Sequence, residues 1–251
     1  MNIAYDTARR SASRRAALVF GGARGIGAAV VRRLASDGFA VAFTCVSRPD
    51  KAEQLVQSIA EAGGEALAIQ ADSADAAAIG TAVERAVARF GPLDAVVVNA
   101  GLLRLNPIDK VGLDELDLML KVNVRGVYLS VQAALAELRD GGRVITIGSN
   151  VAVSTGHAGS SVYQLTKAAV ASLVKGVALD VAPRRITVNN VQPGPIATDM
   201  TAGMLDGLTT MIPLRRVGQP EEVAGLVSYL ASEQAGYVTG ASFTIDGGMT
   251  L

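Results

Sequence analysis

The chain has 251 residues, half of them hydrophobic and 18% charged, and its 23 basic and 23 acidic side chains give a formal net charge of +0. That balance offers no electrostatic footprint for nucleic acid or a membrane surface as the main partner. A chain this long buries enough surface to fold without a metal or disulfide, and its single cysteine, Cys45, excludes an internal disulfide, so a reducing cytoplasmic setting is expected.

Residues 1–15, MNIAYDTARRSASRR, precede the first strand pattern and are expected to form a flexible or partly docked tail. Asp6 and the lack of a long amphipathic stripe argue against an organelle transit peptide. No apolar run approaches the roughly 20 residues that span a bilayer.

The first apolar β-type run, 16–20, leads into VFGGARGIG at 19–27, with Gly21, Gly25 and Gly27 at i, i+4 and i+6. The helix predicted over 25–37 carries an apolar stripe of Ile26, Val30 and Leu34, and Asp37-Gly38 ends it. A helix N-terminus presents unpaired N–H groups and the positive end of the dipole, and glycines let an anion approach them. The pyrophosphate of a dinucleotide is the natural occupant; tight strand–helix packing is the other explanation of the same glycines.

The second strand, 40–46, ends in Phe43-Thr44-Cys45-Val46-Ser47-Arg48, with no carboxylate before Asp50. An acidic residue there would bind the ribose 2′-hydroxyl of NAD. Arg24, Ser47 and Arg48 suit a 2′-phosphate instead, so NADP(H) is the expected cofactor, unless both arginines are solvated surface charges.

Farther on, strands are predicted at 65–70, 94–98, 143–148, 186–192 and 242–246, and helices at 51–62, 75–90, 113–138, 161–182 and 220–231. This alternation predicts an α/β class: right-handed βαβ units in one parallel sheet, and a single domain from 16 to 251. The irregular stretch 193–219 holds three prolines and three of the six methionines, and a substrate lid is expected at about 195–217.

A second constellation follows strand 143–148. Ser149 ends it, and Tyr163 and Lys167 lie one turn apart on the next helix. A lysine cation beside a phenol favours the phenolate, so Tyr163 is expected to have a lowered pKa and to act as general acid or base. Ser149 is placed to donate to a carbonyl oxygen as charge develops on it.

With both sites in one chain, the sequence resembles the classical short-chain dehydrogenase/reductases from about residue 14 onward. The matching motifs are the Gly21/Gly25/Gly27 turn, Asp72, Asn99-Ala100-Gly101, Asn123 in KVNVRG, Ser149, the YQLTK box, Pro193-Gly194 with Thr198, and DGG at 246–248. The resemblance implies a Rossmann-type doubly wound domain with a seven-stranded parallel sheet, assembled as a homotetramer or dimer. It implies catalytic roles for Asn123, Ser149, Tyr163 and Lys167, with Asn123 holding a water in a proton relay. Asp72 with Ser73 would approach the adenine. Asn99, Ala100 and Gly101 would line the cofactor cleft, and Pro193, Gly194, Ile196 and Thr198 would embrace the nicotinamide end beside Ile26. The reaction implied is hydride transfer from NADPH to a small-molecule carbonyl compound, with Tyr163 protonating the oxygen.

Phe20 replaces the family's usual threonine and Val98 the first asparagine of its NNAG, so a hydrogen bond tying the strand ends is expected to be lost. The Ser149–Tyr163 spacing is one residue longer than in many members, and Ser149 is taken as the catalytic serine position in preference to Asn150. Members that reduce 3-oxoacyl groups on a carrier protein need a basic docking rim. Arg184 is a candidate for it, but Leu138-Arg139-Asp140 is less basic than theirs. The VVNAG and GQPEEVAG segments also resemble a member proposed to bind a cyclic dinucleotide, which makes a nucleotide-sequestering module the alternative. His157, in the loop before Tyr163, is a candidate substrate contact. No metal-ligand spacing is present.

Overall fold

Alternate residues of β1 (Arg15–Phe20) enter two separate cores, Ala17 and Val19 on one face of the sheet and Ala16, Leu18 and Phe20 on the other. A parallel sheet with helices on both sides makes this demand, and it explains why the strands read as continuous apolar runs. The computed structural model describes residues 14–155, 158–202 and 205–251, so His157 and nearly all of the N-terminal tail lie outside the described residues.

After β1 come α1 (Gly25–Ser36), β2 (Phe39–Cys45), α2 (Pro49–Glu61), β3 (Glu65–Gln70), α3 (Ala76–Phe90) and β4 (Leu93–Val98). The second half holds α4 (Leu113–Leu120), α5 (Val127–Glu137), β5 (Leu138–Ile147), α6 (Ser161–Val181), β6 (Thr187–Pro193), α7 (Leu205–Leu208), α8 (Pro220–Ala231) and β7 (Ser242–Ile245). The seven strands pair in parallel in the order β3-β2-β1-β4-β5-β6-β7. Strand order reverses between β1 and β4, the point at which open α/β sheets leave a crevice beyond their carboxyl ends. One core lies under α1, α2 and α8 (Val30, Leu34, Leu55, Val227), and the other under α3, α5 and α6 (Ile79, Val83, Val131, Val174). Among the described residues no helix is long and apolar enough to cross a membrane.

Three local features differ from the pattern expected of the sequence. The helix expected over 113–138 is broken by a π-helical turn, Lys121–Gly126, between α4 and α5. That turn accommodates Asn123, which faces the backbone of Leu102, and Gly126, where a Cβ would lie 2.3 Å from the Ser73 carbonyl oxygen. Next, β5 starts at Leu138 directly after α5, and its register against β4 shifts between Leu93 and Ala95. Within the irregular stretch 193–219, α7 supplies one short helical turn.

Arg184 is not at the rim of the cleft. Its guanidinium donates to the Leu135 and Leu138 carbonyls and to Asp140, at the end of the sheet where β5 begins. It satisfies the last carbonyls of α5 and complements that helix's dipole.

Phe20 lacks the hydroxyl that would tie the strand ends, as expected, and the link that remains is made by its backbone. Its carbonyl accepts from Asn99 N and Ala100 N at 3.0 and 2.9 Å, and the ring fills the core with 1% exposure beside Val98 and Ile79. The backbone makes the link, so the side chain is free to pack. Phe20→Ala is expected to cost about 3–5 kcal/mol, a buried aromatic's volume plus the cavity left behind; urea denaturation of the two proteins measures the difference.

Candidate active site

The turn after β1 is held at both ends. Gly21 N and Gly22 N donate to Thr44 Oγ1 and Thr44 O, each at 2.9 Å, which fastens it to β2. Asn99 Nδ2 donates to Gly21 O at 2.7 Å and fastens it to β4. Gly21 adopts φ +76, a left-handed conformation that favours glycine. At Gly27 a Cβ would stand 2.0 Å from Gly21 O, so only glycine lets α1 seat this close to the strand. Arg24, the N-cap residue, makes no side-chain cap bond, which leaves the first N–H groups of α1 directed at the cleft. Packing therefore accounts for Gly21 and Gly27, and the same geometry leaves room for an anion at the end of α1.

Arg24 is exposed at the lip of the cleft and its guanidinium has no hydrogen bond or ion pair among the described residues, while Ser47 and Arg48 line the same end. Arg48 stands in a left-handed conformation (φ 68) and pairs with Asp50 at 3.1 Å. Both partners are more than half exposed, so the pair is weak and exchangeable. Asp72 Oδ1 accepts from Ala74 N at 2.8 Å, and Ser73 is buried against Gly126.

The other end of the cleft is built around α6. Tyr163 is hydrogen-bonded to the Ser149 side chain. Lys167, 4% exposed, donates to Ile147 O at 3.0 Å, and its Nζ lies 5.7 Å from the Tyr163 ring centre. Asn150 turns away, its Nδ2 reaching Asp246 Oδ2 at 3.4 Å, so Ser149 is the residue facing Tyr163. Asn123 is completely buried; it exchanges two 2.7 Å bonds with Leu102 and donates to Thr166 Oγ1 at 3.2 Å. Thr166, which the sequence did not single out, passes this link on by donating to Tyr163 O at 2.7 Å. Its only sequence signal was its place next to Lys167 in the YQLTK box.

Burial, rather than the lysine charge, dominates the titration of this pair. Desolvation pushes Tyr163 up to about 12, with the Ser149 hydrogen bond opposing, and pushes Lys167 down to about 8. The expected lowering of the Tyr163 pKa is therefore not what the chain's own groups give: desolvation raises it, and the Ser149 hydrogen bond opposes only in part.

A cavity of about 570 Å³ joins the two ends. Its wall includes Gly21, Arg24, Gly25, Ile26, Ser47, Arg48, Asp72, Ser73, Asn99, Ala100, Gly101, Ser149, Tyr163, Lys167, Pro193, Gly194, Ile196 and Thr198. Gly27 and Asn123 stand behind the wall. Cys45 also lines it as a buried thiol that burial pushes up, which gives it no nucleophilic character.

A family model described as enoyl-(acyl carrier protein) reductase matches residues 21–250. A solved short-chain dehydrogenase/reductase from Serratia marcescens superposes with a TM-score of 0.93 at 50% identity, over 95% of this chain and 99% of that one. The chain belongs to the short-chain dehydrogenase/reductase family. A Burkholderia cenocepacia short-chain dehydrogenase, solved in complex with NADP, is 42% identical with a TM-score of 0.91, covering 95% of this chain and 98% of the other. Among curated relatives, this reductase-family chain is 42% identical to the cyclic-di-GMP-binding biofilm dispersal mediator protein of Escherichia coli, over 92% of its own length and 94% of the relative's. It is 38% identical to the 3-oxoacyl-[acyl-carrier-protein] reductase of Staphylococcus aureus, over 94% and 98%.

The depressed Lys167 pKa gives a direct check on the site of this dehydrogenase/reductase. Between about pH 8 and 10.5 the unfolded chain holds a proton that the folded site has released, so Lys167 favours folding more as pH rises through that window. Of the five lysines, Lys167 is expected to titrate near pH 8 by carbon NMR of labelled lysine, and Lys167→Gln to remove that transition. A Lys167 transition near the ordinary lysine value would contradict the desolvated site.

Proposed function

We propose that the protein is an NADPH-dependent reductase that converts a carbonyl group to an alcohol, with Tyr163 as the proton donor. The observation that carries the reading is the Ser149–Tyr163 hydrogen bond on a buried phenol, with the Lys167 ammonium behind it. NADP(H) fits the cleft: the left-handed Gly21 and the Cβ-free Gly27 open the α1 N–H groups to a pyrophosphate, and the unpaired Arg24 offers a fork for a 2′-phosphate. The neighbour solved with NADP supports the same choice. NADPH, when bound, supplies the hydride.

The chain's own residues then handle the oxygen. Ser149 Oγ and Tyr163 Oη converge on a carbonyl oxygen and donate to it as negative charge develops. Tyr163 is protonated at neutral pH, and burial raises its pKa further, which suits it to hand a proton to an alkoxide. One Lys167 proton is committed to Ile147 O, leaving the other two for the ribose hydroxyls of the nucleotide and the replenishment of the Tyr163 proton. Asn123 acts as a brace. Both its amide protons are engaged by Leu102 and Thr166 and its Oδ1 accepts from Leu102 N, so a water in a relay would meet a remaining lone pair of Oδ1 or the main-chain carbonyl.

Tyr163→Phe is expected to lower kcat about 10²–10⁴-fold while NADPH still binds, measured by NADPH oxidation and by fluorescence of the bound nucleotide. Full activity in the phenylalanine variant would end the proposed acid role. Arg24→Ala is expected to weaken NADPH about 10–100-fold, the loss of a charge-assisted contact, and to leave NADH affinity alone. An unchanged NADPH/NADH ratio would remove Arg24 from 2′-phosphate recognition.

The name of the Escherichia coli relative favours a second reading, a nucleotide-sequestering protein on the same fold. Calorimetry with cyclic-di-GMP decides between them: micromolar binding that Tyr163→Phe leaves intact would support sequestration, and no binding would leave the reductase.

A further inference from the structure

We propose that the substrate is an uncharged, hydrophobic carbonyl compound taken up free rather than on a carrier protein, and that Leu118 and Met211 set this preference. The proposal rests on the carbonyl-reductase reading above and adds the chemical class of what that site accepts.

The charges of the cleft are distributed unevenly. Among the described residues its wall holds five charged side chains: Arg24, Arg48, Asp72, Asp199 and Lys167. Arg24, Arg48 and Asp72 lie at the turns ending β1, β2 and β3, and Asp199 acts on Arg48 and stands 3.9 Å from Lys51 of α2. These four belong to the nucleotide end. Lys167 is buried and committed to Ile147 O. Among the described residues no free cation therefore stands beside Ser149 and Tyr163 to receive a substrate carboxylate or phosphate.

Lys167 aside, the side chains around those two residues are uncharged, with Asn150, Ser154 and Ser160 among apolar groups. Leu103 follows Leu102, which Asn123 braces, and Leu118 reaches the cleft from α4. Val151 N approaches Ser149 Oγ at 3.4 Å. Met211 precedes Ile212, which packs on Gly247, and the neighbouring Asp246 is bonded to Asn150 beside Ser149. The irregular stretch 193–219 thereby brings Met211 to the catalytic end. Leu118 and Met211 are 42% and 48% exposed, and unlike the exposed Leu113 and Leu179 they line the cleft. Half-exposed apolar groups lining a cleft gain by being covered with an apolar ligand. An unbranched methionine adapts to ligands of different shape.

An ionised group placed here would lose its water without gaining a charged partner among the described residues, which disfavours charged substrates. The arginine considered for carrier docking, Arg184, is occupied at the opposite end of the sheet, bound to α5 carbonyls and Asp140. That position supports uptake of a free small molecule.

The test pairs acetophenone with para-acetylbenzoate, which differ by one carboxylate, and adds a series of 2-alkanones of increasing length. NADPH turnover of each is measured, and binding of the corresponding alcohols to the NADP⁺ complex is followed by calorimetry. The neutral member is expected to exceed the charged one about tenfold or more in kcat/KM and in affinity. Affinity is expected to rise about threefold to fourfold per added methylene until the pocket is filled. Met211→Lys is expected to reverse the preference, improving the carboxylate partner and weakening the neutral one while NADPH affinity holds. Equal or better handling of para-acetylbenzoate by the unaltered protein would overturn the proposal, as would the failure of every neutral compound to bind. Carrier-linked 3-oxoacyl substrate outperforming its free thioester counterpart would also overturn it. Selective binding of the neutral compounds with no turnover would leave the apolar site standing and sink the carbonyl-reductase reading alone.

Discussion

The carbonyl oxygen of Gly21 is the point on which the rest of the site depends. It accepts from Asn99 Nδ2 at 2.7 Å and lies where a Cβ on Gly27 would fall. The first contact ties the turn after β1 to β4; the second sets how closely α1 approaches the strand. Because β1 and β4 flank the reversal in strand order, one oxygen fixes the width of the crevice. Were α1 displaced by even a methyl radius, its free N–H groups would no longer converge on a phosphate, and binding by oriented backbone dipoles falls off quickly with distance.

At the opposite end of the cleft, burial governs. A phenol and an amine sit close together with little water, and each is pushed toward its neutral form. This is the reverse of what a cation–phenol pair does in water, where the Coulomb attraction meets no desolvation penalty. The pair gains its polarity from fixed neighbours: Ser149 toward the phenol and Ile147 O toward the amine. Thr166 and Asn123 hold the same helix against the Leu102 backbone, so the donors are positioned before any substrate arrives.

Most of this was legible in the sequence because the relevant signals are local. Strand ends were placed within a few residues by apolar runs that stop at glycine or polar positions, and Tyr163 and Lys167 share a helix face by their spacing alone. What escaped was non-local. The π-turn at Lys121–Gly126 exists because a side chain and a missing Cβ meet partners some twenty and fifty residues earlier in the chain, at Leu102 and Ser73. Arg184 resembled a surface cation until its helix-end carbonyls were visible, and nothing in the sequence showed that the Phe20 carbonyl takes the Asn99 and Ala100 amides. The Tyr163 shift was misread because sequence gives adjacency but not dielectric.

The π-turn separates two jobs along what looks like one rod. An α-helix advances 100° per residue, so the extra residue in the wide turn offsets the phase of α4 from that of α5. Core packing against the sheet fixes α5, and Asn123 is pinned in the turn itself, while α4, which carries Leu118, projects beyond that anchor. The fold thus acts as a vise with one interchangeable jaw. Under the proposed function, residues on α4 could be exchanged to reshape what the cleft grips while Ser149 and Tyr163, held apart from α4 by the turn, stay in register.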